Sequence, residues 1–245
     1  MQSMTGRCFL CGRTFSQDAM AAHLSACRPQ TGGGQPLFLF QIRDAYFPET
    51  FWLFLEMPPA APLAALDEAL RQVWVDCCGH ASRFVIGGAT YGRRPRASIV
   101  NLVLDEQTHV APMSPPLAEL LTVGQEADYA YDEVWPTELK VRLLAAYPGE
   151  APHEAFRVVA RNYKPPRTCR LCHRPAAWLL TNAWPLEPYC DAHARAHPAW
   201  EQPDAFLPYV NSPRVGLCVY RGPQKAALRF ETCPPEHDLP NPSSE

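Results

Sequence analysis

Apolar positions recur in two rhythms along this chain. Leu63, Leu66, Leu70, Val73, Trp74 and Cys77 repeat at three- and four-residue spacing, which predicts one apolar face of a helix of about four turns. Pro58, Pro59 and Pro62 break the chain ahead of it, and Pro62 suits a position near a helix start. Leu37 to Arg43 and Thr50 to Met57 predict strands, the second rich in aromatics at Phe51, Trp52 and Phe54. Arg83 to Ile86 and Ala97 to Leu104 predict shorter strands, with 87–98, GGATYGRRPRAS, as a loop between them. Pro116 to Leu121 predicts a short helix. Asp128 to Val134 with Thr137 to Tyr147 predicts a hairpin, and Ala155 to Arg161 a further strand. Helix and strands mix without a βαβ alternation. The expected class is therefore α+β, a compact central mixed sheet with one main amphipathic helix.

Composition narrows this picture. A chain of 245 residues suffices for one large domain or two small ones. Its 47% hydrophobic and 19% charged residues describe a folded chain and not a disordered one. The apolar runs fall well short of the ~20 residues of a spanning helix, so no membrane partner is expected. The segment 1–8 lacks the apolar core of an export signal, and a cytoplasmic location is the expectation. The 27 prolines argue against long uninterrupted helices.

The formal charge of −3 gives no basic excess to advertise nucleic acid. Charge is uneven, however: 1–36 and 164–200 are mildly positive, whereas 37–163 is acidic. Arg93, Arg94 and Arg96 form the dense basic cluster. Such a loop is ordinarily solvated surface, with phosphate contact as the alternative.

The ten cysteines carry the chemistry. Cys8 and Cys11 form a Cys-x-x-Cys knuckle, followed by His23 and Cys27. Gly12 frees the tight turn after the knuckle. Asp18 to Ala26 has helix-forming character, so His23 and Cys27 lie on one helical face at i, i+4. Phe15 and Leu24 are the expected miniature core. Cys169 and Cys172 form a second knuckle, matched by Cys190 and His193. Each set offers three thiolates and one imidazole, the donors tetrahedral zinc prefers. Such four-ligand sets are structural, since catalytic zinc keeps a position open. Two structural zinc ions are expected, with disulfides or free thiols as the alternative. His173 and His197 lie near the second set as surface or supporting residues.

Cys77-Cys78-Gly79-His80 is a third feature. One account is a helix end capped by Gly79. The others are a metal site completed from elsewhere, or a thiol activated by His80. Cys218 lies in the strand-like VGLCVY and is expected to pack inside, and Cys233 is expected to be free.

Four segments together carry a family resemblance: LDEALRQVWVDCCGHASRF (66–84), YAYDEVWPTELKV (129–141), RVVARNYKPPRTCRLC (157–172) and LPYVNSPRVGLCVY (207–220). In this order they resemble the plasmid pRi ORF-three-like family of bacteria, also called insertion-sequence passenger TnpR-like proteins. The resemblance runs from about 37 to 222. It implies a compact α+β domain and, in one subgroup, an N-terminal finger matching Cys8 to Cys27. It implies no defined activity, because the resolvase-type name rests on genomic association. It also makes Cys77, Cys78 and His80 part of a motif. The family's C-terminal module looks like two interleaved zinc sites. The second of these would use Leu180, Ala183 and His197 here, so only Cys169, Cys172, Cys190 and His193 are retained. Asp132 and Glu138 are acids kept from the family pattern, serving either as a hairpin rim or in binding a ligand or metal. Arg214 of NSPR (211–214) is placed to bond an acid of the central domain or a partner.

The expected organisation is a finger (1–28), a linker (29–36), a central α+β domain (37–163), a zinc module (164–200), a segment packing on the core (201–232) and a disordered tail (233–245). The function these features favour is a zinc-stabilised, non-enzymatic binding or adaptor protein. Its partner would be a protein or, through the mobile-element context, nucleic acid. The alternative is an enzyme centred on Cys77, Cys78 and His80.

Overall fold

Side chains that alternate across strands can serve two cores at once, and this chain uses that property. The structure, a computed structural model, describes residues 4–27, 34–93 and 110–234. Thirteen strands are formed among them: β1 (Thr5–Cys8), β2 (Thr14–Ser16), β3 (Gln35–Asp44), β4 (Trp52–Met57), β5 (Ser82–Ile86), β6 (Ala89–Arg93), β7 (Val110–Ala111), β8 (Glu126–Tyr131), β9 (Thr137–Gly149), β10 (Arg157–Asn162), β11 (Trp178–Leu180), β12 (Glu187–Tyr189) and β13 (Phe206–Pro208). The α-helices are α1 (Gln17–Cys27), α2 (Leu63–Leu70), α3 (Leu117–Leu120) and α4 (Asp191–Arg195). The class is α+β, as the mixing of elements predicted.

The first ten strands form one sheet in the order β2-β1-β10-β4-β3-β9-β8-β5-β6-β7. Its pairs are antiparallel except β6 with β7. The second sheet, β12-β11-β13, belongs to the C-terminal module. On one face of the large sheet Phe38, Phe40 and Ile42 of β3 join Leu53, Leu55 and Met57 of β4, and α2 packs over them through Leu63, Leu66 and Leu70. On the other face Leu39, Trp52 and Phe54 meet Cys8, Met20 and Leu24 of the N-terminal finger. Leu24 is buried as expected, but Phe15 only packs at the margin. The finger thus borrows its core from the sheet. Three short elements around four ligands bury too little apolar surface for a core of their own.

The main helix is shorter than its periodicity predicts. After Leu70 it widens into a π turn over Arg71–Val75, and Asp76 leaves it in an extended conformation (φ −74°, ψ 117°). The Asp76 carboxylate is the physical reason: Tyr131 Oη donates to it at 2.8 Å and the Gly79 N–H at 3.2 Å. Cys77 therefore lies beyond the helix. Gly79, at φ +78°, shapes the following loop and does not cap the helix.

Other boundaries also differ. The segment expected as a loop from 87 begins as a hairpin. Gly87 and Gly88, both at positive φ, make a two-residue turn between β5 and β6, the connection whose twist suits antiparallel strands. Gln35 and Pro36, expected in the linker, already belong to β3. The VGLCVY segment is turns rather than strand, and Cys218 is exposed rather than packed inside. Its φ of +51° is incompatible with a strand. The strand expected at Ala97 to Leu104 lies outside the described residues.

Leu66 is wholly buried between α2 and the sheet. Leu66→Ala is expected to lower stability by about 2–5 kcal/mol through lost burial and a residual cavity. A urea titration of both proteins, with a midpoint shift at unchanged slope, checks this.

Candidate metal centres

Two local devices build the first set. Cys8 ends β1, and the chain turns back through Cys11 and Gly12 into β2. The Cys8 N–H donates to Arg13 O at 2.9 Å and the Gly12 N–H to Cys8 O at 2.8 Å, with Gly12 at φ +77°. These backbone bonds close the turn, and the Cys8 and Cys11 sulfurs fall in one group of donor atoms. The helix α1 then brings His23 and Cys27 over the knuckle one turn apart. Cys8 Sγ lies 4.0 Å from Cys27 Sγ, and Cys11 Sγ lies 3.3 Å from His23 Nε2. The His23 ring stacks on Phe15 at 4.1 Å, which fixes its plane.

The second set repeats this logic at the other end of the chain. The Cys169 N–H donates to Arg174 O at 2.8 Å, closing the second knuckle. Cys190 immediately precedes α4, whose residue His193 turns back onto the same point. His193 Nδ1 is 3.3, 3.4 and 3.4 Å from the sulfurs of Cys169, Cys172 and Cys190, and the last two sulfurs are 3.8 Å apart.

These distances can be compared with a requirement. Tetrahedral zinc with Zn–S of ~2.3 Å and Zn–N of ~2.0 Å demands sulfur–sulfur separations of ~3.8 Å and sulfur–nitrogen separations of ~3.5 Å. Disulfides would need ~2.05 Å between sulfurs. The observed separations match the first pattern, and all ten cysteines are free thiols. Each set could hold a metal ion, its donor atoms lying within 4.8 Å of one another.

Electrostatics within the sets follow from crowded thiols. Burial, reinforced by Cys11 and Cys8, pushes the Cys27 thiol up to about 12. Burial opposes ionisation of Cys169 as well, but N–H groups of Cys190 and Leu171 and the His193 ring outweigh it, bringing that thiol down to about 6. A cation among the sulfurs would favour the thiolate at every position.

A third group assembles where the sequence supplied only part of it. Cys77, Cys78 and His80 meet Cys218, their donor atoms again within 4.8 Å of one another. Cys218 was not expected here. It is 140 residues from Cys78, and no spacing rule links them. An unassigned thiol in the VGLCVY segment was the available signal.

Buried polar groups position this group. Arg214 is fully buried and donates to Asp132 Oδ2 at 2.6 Å, Trp135 O at 2.7 Å and Thr137 Oγ1 at 3.1 Å. NSPR thus bonds an acid of the central domain, one of the two roles its sequence suggested. The Cys77 and His80 N–H groups both donate to Tyr131 Oη, at 3.3 and 3.2 Å. Asp132 sits at φ +73°, held there by this pairing and by the Val134 N–H on its Oδ1. Glu138 stays at the surface and accepts from Tyr46 Oη at 2.8 Å.

The remaining candidate positions separate. Arg93 donates to Glu68 at 3.0 Å and Asp67 at 3.4 Å. Arg94 and Arg96 lie outside the described residues. His173 is exposed. Leu180, Ala183 and His197, the positions of a second metal set implied by the resemblance, offer no group of metal donors among the described residues, and His197 Nδ1 accepts from the Ala199 N–H at 3.1 Å. Leu180 is buried with Ala183 packed beside it, and the His197 ring lies 5.4 Å from Tyr189 and from Phe206.

No protein-family model and no curated protein matches the chain. Five solved chains match in structure. One is a protein of unknown function from Methanosarcina mazei Go1, with a TM-score of 0.39 and 19% identity over 52% of this chain and 68% of that one. At that score the likeness bears on neither mechanism nor partner.

Arg214→Ala removes one half of a buried ion pair and strands Asp132. Such a change is expected to cost about 3–5 kcal/mol. Denaturant unfolding of Arg214→Ala, Asp132→Asn and the double variant checks this. The double variant should be more stable than the sum of the single losses implies.

Proposed function

We propose that this chain is a zinc-stabilised, non-enzymatic binding protein whose C-terminal zinc module engages a protein partner. One observation carries the reading. The knuckle Cys169 to Cys172 holds Leu171 in water at 62% exposure, and Trp184 of the same module is 91% exposed. Large apolar side chains held outward by a rigid support are the usual anchors of protein interfaces. The module has an aromatic core of its own, with Trp178 against Trp200 and Tyr189 against Phe206. Its exposed residues therefore do not stay exposed for want of an inner site.

The closed ligand sets support a structural role for the metal. Three sulfurs and one nitrogen complete a tetrahedron and leave no position for water or substrate. The formal charge of −3 supplies no basic excess for nucleic acid, and the mild positive charge of 164–200 is what a nucleic-acid partner would have to use.

The enzyme alternative rests on a thiol–imidazole pair, Cys78 Sγ to His80 Nε2 at 2.9 Å. In a triad the base is oriented by a third group bonded to the far nitrogen of its ring. Here Asp132 Oδ2 approaches the same Nε2, at 3.6 Å. The geometry is that of several groups converging on one point rather than of a relay.

The test compares the zinc-loaded chain with a Leu171→Asp, Trp184→Ala double variant in cross-linking to proteins of its native cell extract. A partner captured by the first and lost at least tenfold by the second, with zinc content unchanged, is the expected result. Equal capture by both overturns the reading. Salt-dependent binding of the chain to DNA or RNA oligonucleotides at low ionic strength, unaffected by the double variant, moves the partner to nucleic acid.

A further inference from the structure

We propose that Cys77, Cys78, His80 and Cys218 form a third closed zinc site that fastens the C-terminal segment to the end of the main helix. The inference rests on the same metal chemistry as the zinc reading above, but not on the partner proposed there.

The first support is geometric. The sulfurs of Cys77 and Cys78 are 3.7 Å apart, those of Cys78 and Cys218 are 3.6 Å apart, and Cys218 Sγ is 3.6 Å from His80 Nε2. These are close to the ~3.8 and ~3.5 Å a tetrahedral zinc imposes. Cys78 Sγ to His80 Nε2, at 2.9 Å, is the one shorter edge. The donor set is three sulfurs and one imidazole, as in the other two groups.

The second support is the backbone. Cys218 adopts φ +51°, a region L side chains rarely occupy. The turn that sets this conformation is closed by the Tyr220 N–H on Leu217 O at 3.2 Å and anchored by the buried Tyr220, which leaves the Cys218 side chain exposed. Its result is that Sγ lies 3.6 Å from both Cys78 Sγ and His80 Nε2. On the opposite side Gly79, at φ +78°, lets Cys78 and His80 turn toward the same point. Strain concentrated on a ligand-forming residue is a mark of a functional site.

The third support is the shell around the thiols. Arg214 Nη2 lies 3.6 Å from Cys77 Sγ and Tyr131 Oη lies 3.8 Å from it. A guanidinium placed against a sulfur stabilises a thiolate and orients a metal ligand, while Tyr131 Oη, its own proton given to Asp76, holds the Cys77 and His80 backbone by accepting from both N–H groups. Both groups are themselves fixed, Arg214 by Asp132 and Tyr131 by Asp76.

The consequence is a long-range fastening. The other two sets close loops within a single module. This one joins residues 140 apart, on elements already brought together by Ser212 Oγ donating to Trp74 O at 2.7 Å. A metal here makes the docking of 209–220 depend on zinc.

Native mass spectrometry of the full chain, purified without added metal, tests this. Three zinc ions per wild-type chain, two in Cys218→Ser and three in the control Cys233→Ser are expected, from the three ligand groups. Two ions in the wild type, unchanged in Cys218→Ser, overturn the third site while leaving the other two sets intact. A wild-type mass lower by a pair of hydrogens, with Cys78 and Cys218 in one disulfide-linked peptide, overturns it equally. Should Cys218→Ser not fold, cobalt substitution of the wild type makes the same distinction. Three tetrahedral thiolate-bound equivalents support the site and two refute it. Because none of these readouts involves a partner, failure here is distinct from failure of the binding reading.

Discussion

The β3–β4 pair is buried on both faces, and the rest of the molecule is arranged around that fact. Every residue of β4 from Trp52 to Met57 is buried. Successive side chains point to opposite faces, so Leu53, Leu55 and Met57 serve the helix-covered core while Trp52 and Phe54 serve the finger. Neither core could be lost without exposing half of the same two strands. A polar residue on such a strand needs partners, and Glu56 has them in Arg157 and Tyr147. The N-terminal finger is held to this face by β1 pairing with β10, which carries Cys8 into register with Ala160.

The C-terminal segment is attached by different forces. It contributes few apolar contacts to the central core and relies on buried polar bonds instead. Asn211 exchanges bonds with Asn162, its amide nitrogen donating to Asn162 O at 2.8 Å. Arg161 donates to Asn211 O and to Leu228 O. Arg214 binds Asp132, and Ser212 binds Trp74 O. Partners of this kind are directional, and leaving one unmade is costly inside a protein. They specify one position for the segment, and that position delivers Cys218 to the loop after the helix. The polar network and the third thiol group are thus two parts of one junction.

The local chemistry was legible because it is encoded in short spacings. Two sulfurs flanking two residues are brought together by a single turn, and a His and Cys at i, i+4 share a helical face. The strands from Leu37 to Met57 and the hairpin around Tyr131 were legible from runs and alternation. The end of the helix was not. Apolar periodicity continues to Cys77, but Asp76 finds its partner in Tyr131, 55 residues further along the chain. The Gly87-Gly88 turn was readable in principle, yet the arginines after it suggested a loop and concealed the strand.

What the sequence determined by itself is therefore the α+β class, the two knuckle-built Cys/His groups that could hold a metal and most of the strands. Each depends on residues within a few positions of one another, where chain geometry alone restricts the outcome. The tertiary structure decided the sharing of β3 and β4 between two cores, the early exit of the chain at Asp76, and the arrival of Cys218 beside Cys78 and His80. These depend on which buried polar group finds which partner across the fold. Sequence spacing carries no information about a contact between positions 140 residues apart, since loop closure over such a length is permitted in many registers and only packing selects one.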